Sequence, residues 1–187
     1  MIMALAQKRP YTIDDIYSLP DGTRAELING QIYNMAPPSR RHQEITGELF
    51  ATIRNYIHSN HGSCRPYLAP FAVFLNKDSL NYVEPDISVI CDPSKLDDRG
   101  CNGAPDWIIE VVSAGSVRMD YMIKLFKYRS AGVREYWIVD PIKERVTVYM
   151  FNQGNEDDEN IGEYTFSEDV PSWIYPGFSI NLSKLDI

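Results

Sequence analysis

The stretch Asp106–Pro141, DWIIEVVSAGSVRMDYMIKLFKYRSAGVREYWIVDP, decides the fold. Its opening, Asp106–Val112, is apolar on both faces, as central strands are. Residues from about Val117 to Ser130 carry a helical pattern, and Gly132 stands where a left-handed C-cap belongs. Glu135–Val139 is a second strong strand, closed by Asp140-Pro141. Upstream, Phe71–Leu75 and Asp86–Cys91 are two further strand-like runs. Pro37-Pro38 breaks the chain before them, and Ser39 is the N-cap of a helix reaching about Ser59. That helix buries Ile45, Leu49, Ile53 and Tyr56/Ile57, which follow a helical period. Ala25–Met35 reads as a hairpin turning on Asn29-Gly30, the preferred type I′ pair. Thr12 and Asp15 form a capping box for a short helix ending at Leu19-Pro20. Downstream, Arg145–Phe151 is the hairpin partner of Glu135–Val139, and short strands fall near Glu163–Phe166 and Phe178–Ile180. The order predicts an α/β (α+β) sandwich around one mixed sheet.

A chain of 187 residues fits one domain. The scaling of surface with mass gives roughly 9,000 Å² folded against roughly 31,000 Å² unfolded, so a sizeable core forms without staples. No apolar run reaches a membrane-spanning length, so no membrane partner is expected. Met1–Pro10 places its basic pair after its apolar stretch, the wrong order for a signal peptide. Cys64, Cys91 and Cys101 show no metal-ligand spacing and read as reduced thiols in a cytoplasm.

The formal charge of −8 argues at first sight against nucleic acid. The charge is unevenly spread. Ser39–Pro66 holds four arginines against two glutamates, and Arg118–Arg145 holds seven basic residues against four acids. The rest of the chain sums to −13. Five of those negatives lie in Gly154–Glu163 (GNEDDENIGE), which reads as a solvated loop. Screening confines its repulsion to about 10 Å.

Glu110 is the most informative residue. It is the lone carboxylate in an otherwise buried strand, and burying it unpaired costs several kcal/mol. It needs a cation, a hydrogen-bond network or a proton, so it is either a paired structural carboxylate or part of a metal or catalytic site. Asp86 opens the preceding strand, and consecutive strands are neighbours in about two-thirds of cases. Two carboxylates facing one cleft make an oxygen site for Mg²⁺ or Mn²⁺. Lys124 shares a helical stripe with Asp120 and Tyr128. It is either an ordinary Asp–Lys surface pair or a lysine beside the metal. His42 lies in the first turn after Ser39, and Glu26 precedes the hairpin turn; their bland readings are an exposed helix-end histidine and a half-exposed structural strand glutamate. His58 and His61 read as surface. No P-loop, dinucleotide fingerprint, nucleophile elbow or HExxH site is present.

Several of these elements resemble the Uma-two family of endonucleases. They are Glu26-Leu27-Ile28-Asn29-Gly30, Met35-Ala36-Pro37-Pro38-Ser39 with His42, Pro85-Asp86, and Ile109-Glu110-Val111-Val112-Ser113. Asp120, Lys124, Tyr128 and the block Gly132–Pro141 continue the resemblance, which covers roughly Tyr11 to Met150. That family is assigned to the PD-(D/E)XK restriction-endonuclease-like superfamily. The resemblance implies an αβββαβ core of about residues 11–151, within a single domain 1–187 that ends in a strand extension, 152–187. The core sheet is mixed and flanked by helices, with an added N-terminal β-hairpin. It also implies a Mg²⁺ (or Mn²⁺) phosphodiesterase site held by Asp86 and Glu110. The superfamily lysine normally lies two residues after the acid. Here that position is Val112, and the helix lysine matching Lys124 substitutes, as in the family. Ala114-Gly115 stand where the family has Pro-Ser.

The resulting expectation is a metal-dependent nuclease acting on nucleic acid, DNA first, with Asp86, Glu110 and Lys124 as its catalytic residues. Glu26, His42, Asp120 and Tyr128 are accessory, and Arg40, Arg41, Arg118 and Lys127 contact the backbone. A catalytically silent nucleic-acid-binding module and a small-molecule phosphodiesterase are the alternatives. A homodimer is expected through Tyr136, Trp137, Tyr149, Trp173, Tyr175 and Phe178, residues that equally suit core packing.

Overall fold

The computed structural model describes residues 9–151 and 160–187. Its short first helix, α1 (Ile13–Tyr17), is opened by Thr12, whose backbone N–H donates to the Asp15 carboxylate at 2.8 Å. The hairpin β1 (Ala25–Ile28) and β2 (Gln31–Asn34) turns on Asn29 and Gly30, both at positive φ, as a type I′ turn requires. Helix α2 (Arg40–Ser59) is capped by the Ser39 hydroxyl, which accepts from the His42 N–H.

The central sheet follows. It contains β3 (Arg65–Leu68), then β5 (Ile87–Ile90), β8 (Trp107–Val111), β9 (Glu135–Asp140), β10 (Arg145–Met150) and β11 (Asn160–Thr165). Between these lies a small three-stranded sheet of β4 (Val73–Phe74), β6 (Leu96–Asp97) and β7 (Gly100–Asn102). The chain closes with a short pair, β12 (Val170–Pro171) and β13 (Ser179–Ile180).

The six-stranded sheet runs β11-β10-β9-β8-β5-β3, with β8 and β9 parallel and every other pair antiparallel. The parallel pair requires a crossover. That crossover is a π-helical turn, Met119–Lys124, continuing into helix α3 (Leu125–Ala131) and ending on Gly132 at φ 92°. Two cores flank the sheet. Ile45, Leu49, Ile53 and Ile57 of α2 pack on one face with Trp107, Ile109, Trp137 and Val139. Tyr128 of α3 packs on the other face with Ile108, Ile138 and Tyr136.

Four expectations need correction. Phe71–Leu75 supplies only the two-residue β4 of the small sheet, and the strand beside β5 is Arg65–Leu68. That strand contains Pro66 and lies at the sheet edge, where a missing N–H is tolerated and no apolar run is needed. The crossover helix is not α-helical throughout, because its first part is the π turn. Cys64 and Cys91 are bonded to each other, and only Cys101 is a free, buried thiol. The register Arg65↔Ile90 sets Cys64 directly across from Cys91, which sequence spacing alone does not reveal. Of the acidic segment 154–163, residues 154–159 lie outside the described residues, and 160–163 are strand rather than loop. The apolar stretch at 1–8 also lies outside them. Among the described residues no helix is long and apolar enough to cross a membrane. Of the aromatics considered for a dimer face, Tyr136, Trp137 and Phe178 are core, whereas Trp173 is exposed.

Candidate functional site

The antiparallel register Ile87↔Ile109 places Asp86 opposite Glu110, so both carboxylates project from one face of the sheet. Glu110 is 3% exposed in the middle of β8. One of its oxygens, Oε1, accepts from Lys124 Nζ at 2.8 Å and from the Tyr128 hydroxyl at 2.6 Å. Lys124 reaches it from the π turn and also contacts Glu26 Oε2 at 3.0 Å and Asp120 Oδ1 at 4.0 Å. Glu26 is delivered by the N-terminal hairpin, and its other oxygen accepts the Glu84 N–H at 3.0 Å. Asp86 Oδ2 accepts the Val111 N–H at 2.8 Å and lies 3.1 Å from His42 Nε2.

Local sequence explains how each group arrives. Burial of Ile87 and Ile109 fixes the β5–β8 register, and a slip of one residue would turn the acids to the other face. Ser39 starts α2 so that His42 falls in its first turn, pointing inward at Asp86. Thr46, one turn later, donates to the His42 carbonyl at 2.8 Å. The loop at Ala114-Gly115 keeps its anchor, because Ser116 Oγ accepts the Ser113 N–H and the Ser116 carbonyl accepts the Asp120 N–H. The π turn is held by the Tyr136 hydroxyl, which donates to the Asp120 carbonyl at 3.1 Å. Single π turns of this kind recur at functional sites. Here the turn buries Asp120 and Lys124 while leaving Met122 exposed.

The electrostatics are uneven. Burial raises the Glu110 carboxyl well above its ordinary range; Lys124 pulls it down, and Asp86, Asp120 and Glu26 push it further up. Burial likewise raises Asp120 to about 6 against the pull of Lys124. Burial works to lower Lys124, but Glu110, Glu26 and Asp120 outweigh it and hold the ammonium charged. Burial also works to lower His42, and the hydrogen bond and charge of Asp86 outweigh it, raising the imidazole. Four carboxylates therefore share one lysine and one histidine.

The structure gathers Asp86, Glu110, Lys124, Glu26, His42, Asp120 and Tyr128. His42 is not the exposed helix-end residue of its bland reading; it is 9% exposed. The candidate backbone contacts do not behave alike. Arg40 pairs with Glu44, and Arg41 lies 3.3 Å from Glu144, both on the surface. Arg118 is exposed at the start of the π turn. Lys127 departs from the expectation. It is buried, and its ammonium donates to Asn29 Oδ1 at 2.9 Å, tying α3 to the hairpin turn. Sequence reading missed Tyr136 and Thr46. The spacing of Thr46 from His42, one helical turn, was the only available signal, and Tyr136 had none.

The donor set suits a hard cation. Mg²⁺ typically takes one or two carboxylates and fills its octahedron with waters and substrate phosphates, and Asp86 and Glu110 are the pair that could hold it. Among the described residues no group of three or more acidic, histidine or cysteine side chains is placed to hold a metal ion, so waters and substrate would have to complete any coordination shell.

No curated protein matches the chain. Its fold is similar to that of a crystal structure described as a “putative nuclease belonging to DUF820” from Anabaena variabilis ATCC 29413. The TM-score is 0.73 at 20% identity, over 93% of this chain and 96% of that one. Residues 13–183 match the profile of the Uma2 family, described as “Putative restriction endonuclease”, and the chain belongs to that family.

Proposed function

We propose that the protein is a divalent-metal-dependent nuclease that hydrolyses phosphodiester bonds, with DNA as its first substrate. The observation that carries this reading is the surplus of carboxylate: buried Glu26, Glu110 and Asp120 with half-buried Asp86, against Lys124 and His42. Such a surplus is costly in a structural ion-pair network and is relieved by a bound cation. The succession α2, β3, β5, β8, α3, β9 follows the αβββαβ order of the restriction-endonuclease-like core and supports the reading.

Asp86 and Glu110 would hold Mg²⁺ or Mn²⁺, which when bound polarises a phosphoryl oxygen and lowers the pKa of water. Tyr128 and Lys124 occupy one oxygen of Glu110 and fix its rotamer. His42 and the Val111 N–H do the same for Asp86. Lys124, kept protonated by its neighbours, orients the attacking water and offsets the charge that builds on the phosphate. Arg40, Arg41 and Arg118 position the backbone without reading sequence. The test is a cleavage panel on single- and double-stranded DNA and RNA with and without Mg²⁺. Metal-dependent nicking by the wild type, absent from purified Glu110→Gln, supports the assignment; equal nicking by both proteins overturns it.

A further inference from the structure

A cavity of about 310 Å³ lies away from the carboxylate centre, between the C-terminal half of α2 and the edge strand β3. Arg54 and His58, one turn apart on α2, line one wall; Arg65 and Tyr67 of β3 line the other. The lining contains no acidic residue, in a chain whose overall charge is −8. Arg54 and Arg65 are exposed, and neither side chain makes an ion pair or hydrogen bond to any described residue. Most other arginines of the described chain are paired: Arg24 to Glu84, Arg40 to Glu44, Arg41 to Glu144 and Arg134 to Asp106. Two arginines with unengaged side chains lining one cavity suit a phosphate, which arginine binds through paired N–H donors.

The position of the cavity points to a strand of nucleic acid rather than a free anion. By register, Tyr67 lies opposite Ser88 and Asp86 opposite Glu110, so Tyr67 projects from the same face of the sheet as the two acids. Arg65 is four residues along β3 from Ala69, which bonds the Asp86 carbonyl; at the rise of a strand this is about 13 Å. Arg54 is twelve residues along α2 from His42, about 18 Å at the rise of a helix. Measured along the axis of a duplex, that span corresponds to about four or five nucleotides of one strand. Between the two places, Tyr67 stacks on Phe71 with centroids 4.2 Å apart, an aromatic surface of the type that accompanies backbone-tracking grooves.

We propose that the Arg54–His58–Arg65 cavity is a phosphate subsite that grips the nucleic-acid backbone several nucleotides from the bond being cut. The proposal rests on the nuclease reading, and its test separates the two. Anisotropy of a labelled 30-nucleotide strand, alone and in duplex, is measured in EDTA for wild type and for Arg54→Ala/Arg65→Ala. The double variant should bind at least about tenfold more weakly, with a salt slope lower by about two. The Arg54→Lys/Arg65→Lys variant should keep the slope, and matching melting temperatures exclude misfolding. Hydrolysis of bis-p-nitrophenyl phosphate, too short to reach the cavity, should be the same in the double variant and wild type.

Unchanged oligonucleotide binding in the double variant overturns the subsite and leaves the nuclease reading standing. Arginine-dependent binding without metal-dependent hydrolysis by the wild type overturns the nuclease reading and keeps a backbone-binding cavity. Inorganic phosphate that binds as tightly as the oligonucleotide and displaces it completely overturns the proposal in favour of a free-anion site.

Discussion

Glu110 and Glu135 are two glutamates on neighbouring parallel strands, 3% and 0% exposed, and they have opposite surroundings. Glu135 faces the α2 side of the sheet. Its Oε1 accepts the Trp137 indole N–H at 2.6 Å. Its Oε2 accepts the Ser172 hydroxyl at 3.2 Å and the N–H groups of Trp173 at 3.0 Å and Ile174 at 2.7 Å. No cationic side chain among the described residues contacts it, and the carboxylate serves to dock the C-terminal segment onto the sheet. Glu110, on the other face, concentrates its two contacts on one oxygen and sits among three more carboxylates. A buried acid alone therefore does not mark a site. A fully satisfied acid such as Glu135 is structural, whereas an acid crowded by its own sign is one whose environment a further cation would relieve.

Neutralising each glutamate in turn should have opposite consequences. Glu110→Gln should abolish Mg²⁺-dependent plasmid nicking with little loss of melting temperature, because it removes one of four crowded charges. Lys124→Met leaves Glu26, Glu110 and Asp120 without their cation and should cost about 3–5 kcal/mol in urea unfolding. Adding Glu110→Gln to that variant should recover part of the loss; no recovery would separate the two residues energetically.

Glu135→Gln turns an amide NH₂ toward a set of donors and should cost about 1–3 kcal/mol without affecting nicking. It also carries a pH signature. Burial raises the folded-state pKa of Glu135, although the four donors oppose it. Its contribution is thus fully present below the unfolded-state pKa and is lost as pH rises through the higher folded value. Urea midpoints measured downward from pH 7 should show wild type gaining on the variant; parallel curves would remove this assignment. The smallest effects should come from single donors. Ser172→Ala and Tyr128→Phe should each cost about 0.5–1.5 kcal/mol, and only Tyr128→Phe should slow nicking.

Much of this arrangement was legible in the chain. Glu110 betrayed itself as a charge inside an apolar run, and the spacing of Asp120, Lys124 and Tyr128 put them on one stripe, although a surface ion pair fitted that stripe equally well. The hairpin turn and the Ser39 cap followed from residue types that have few alternative conformations. What stayed hidden depended on contacts distant in sequence. Glu135 looked like the polar start of a strand, because its donors lie nearly forty residues away in the tail. Lys127 looked like one more surface cation, but its ammonium donates a hydrogen bond to Asn29, 98 residues earlier. The edge strand Arg65–Leu68 had no apolar alternation to reveal it, since an edge needs none. The π turn has no sequence signature, being a local widening imposed by what the helix must reach.

The Cys64–Cys91 link has one more consequence. It closes a covalent ring spanning 27 residues, and inside that ring lie Arg65, Tyr67 and Asp86. One wall of the cavity and one acid of the carboxylate centre thus share a single cyclised segment. In the chain-entropy account, a ring of this size removes unfolded-state freedom equivalent to about 3–4 kcal/mol. The sheet edge that carries both features is therefore more firmly held in an oxidising medium than in a reducing one.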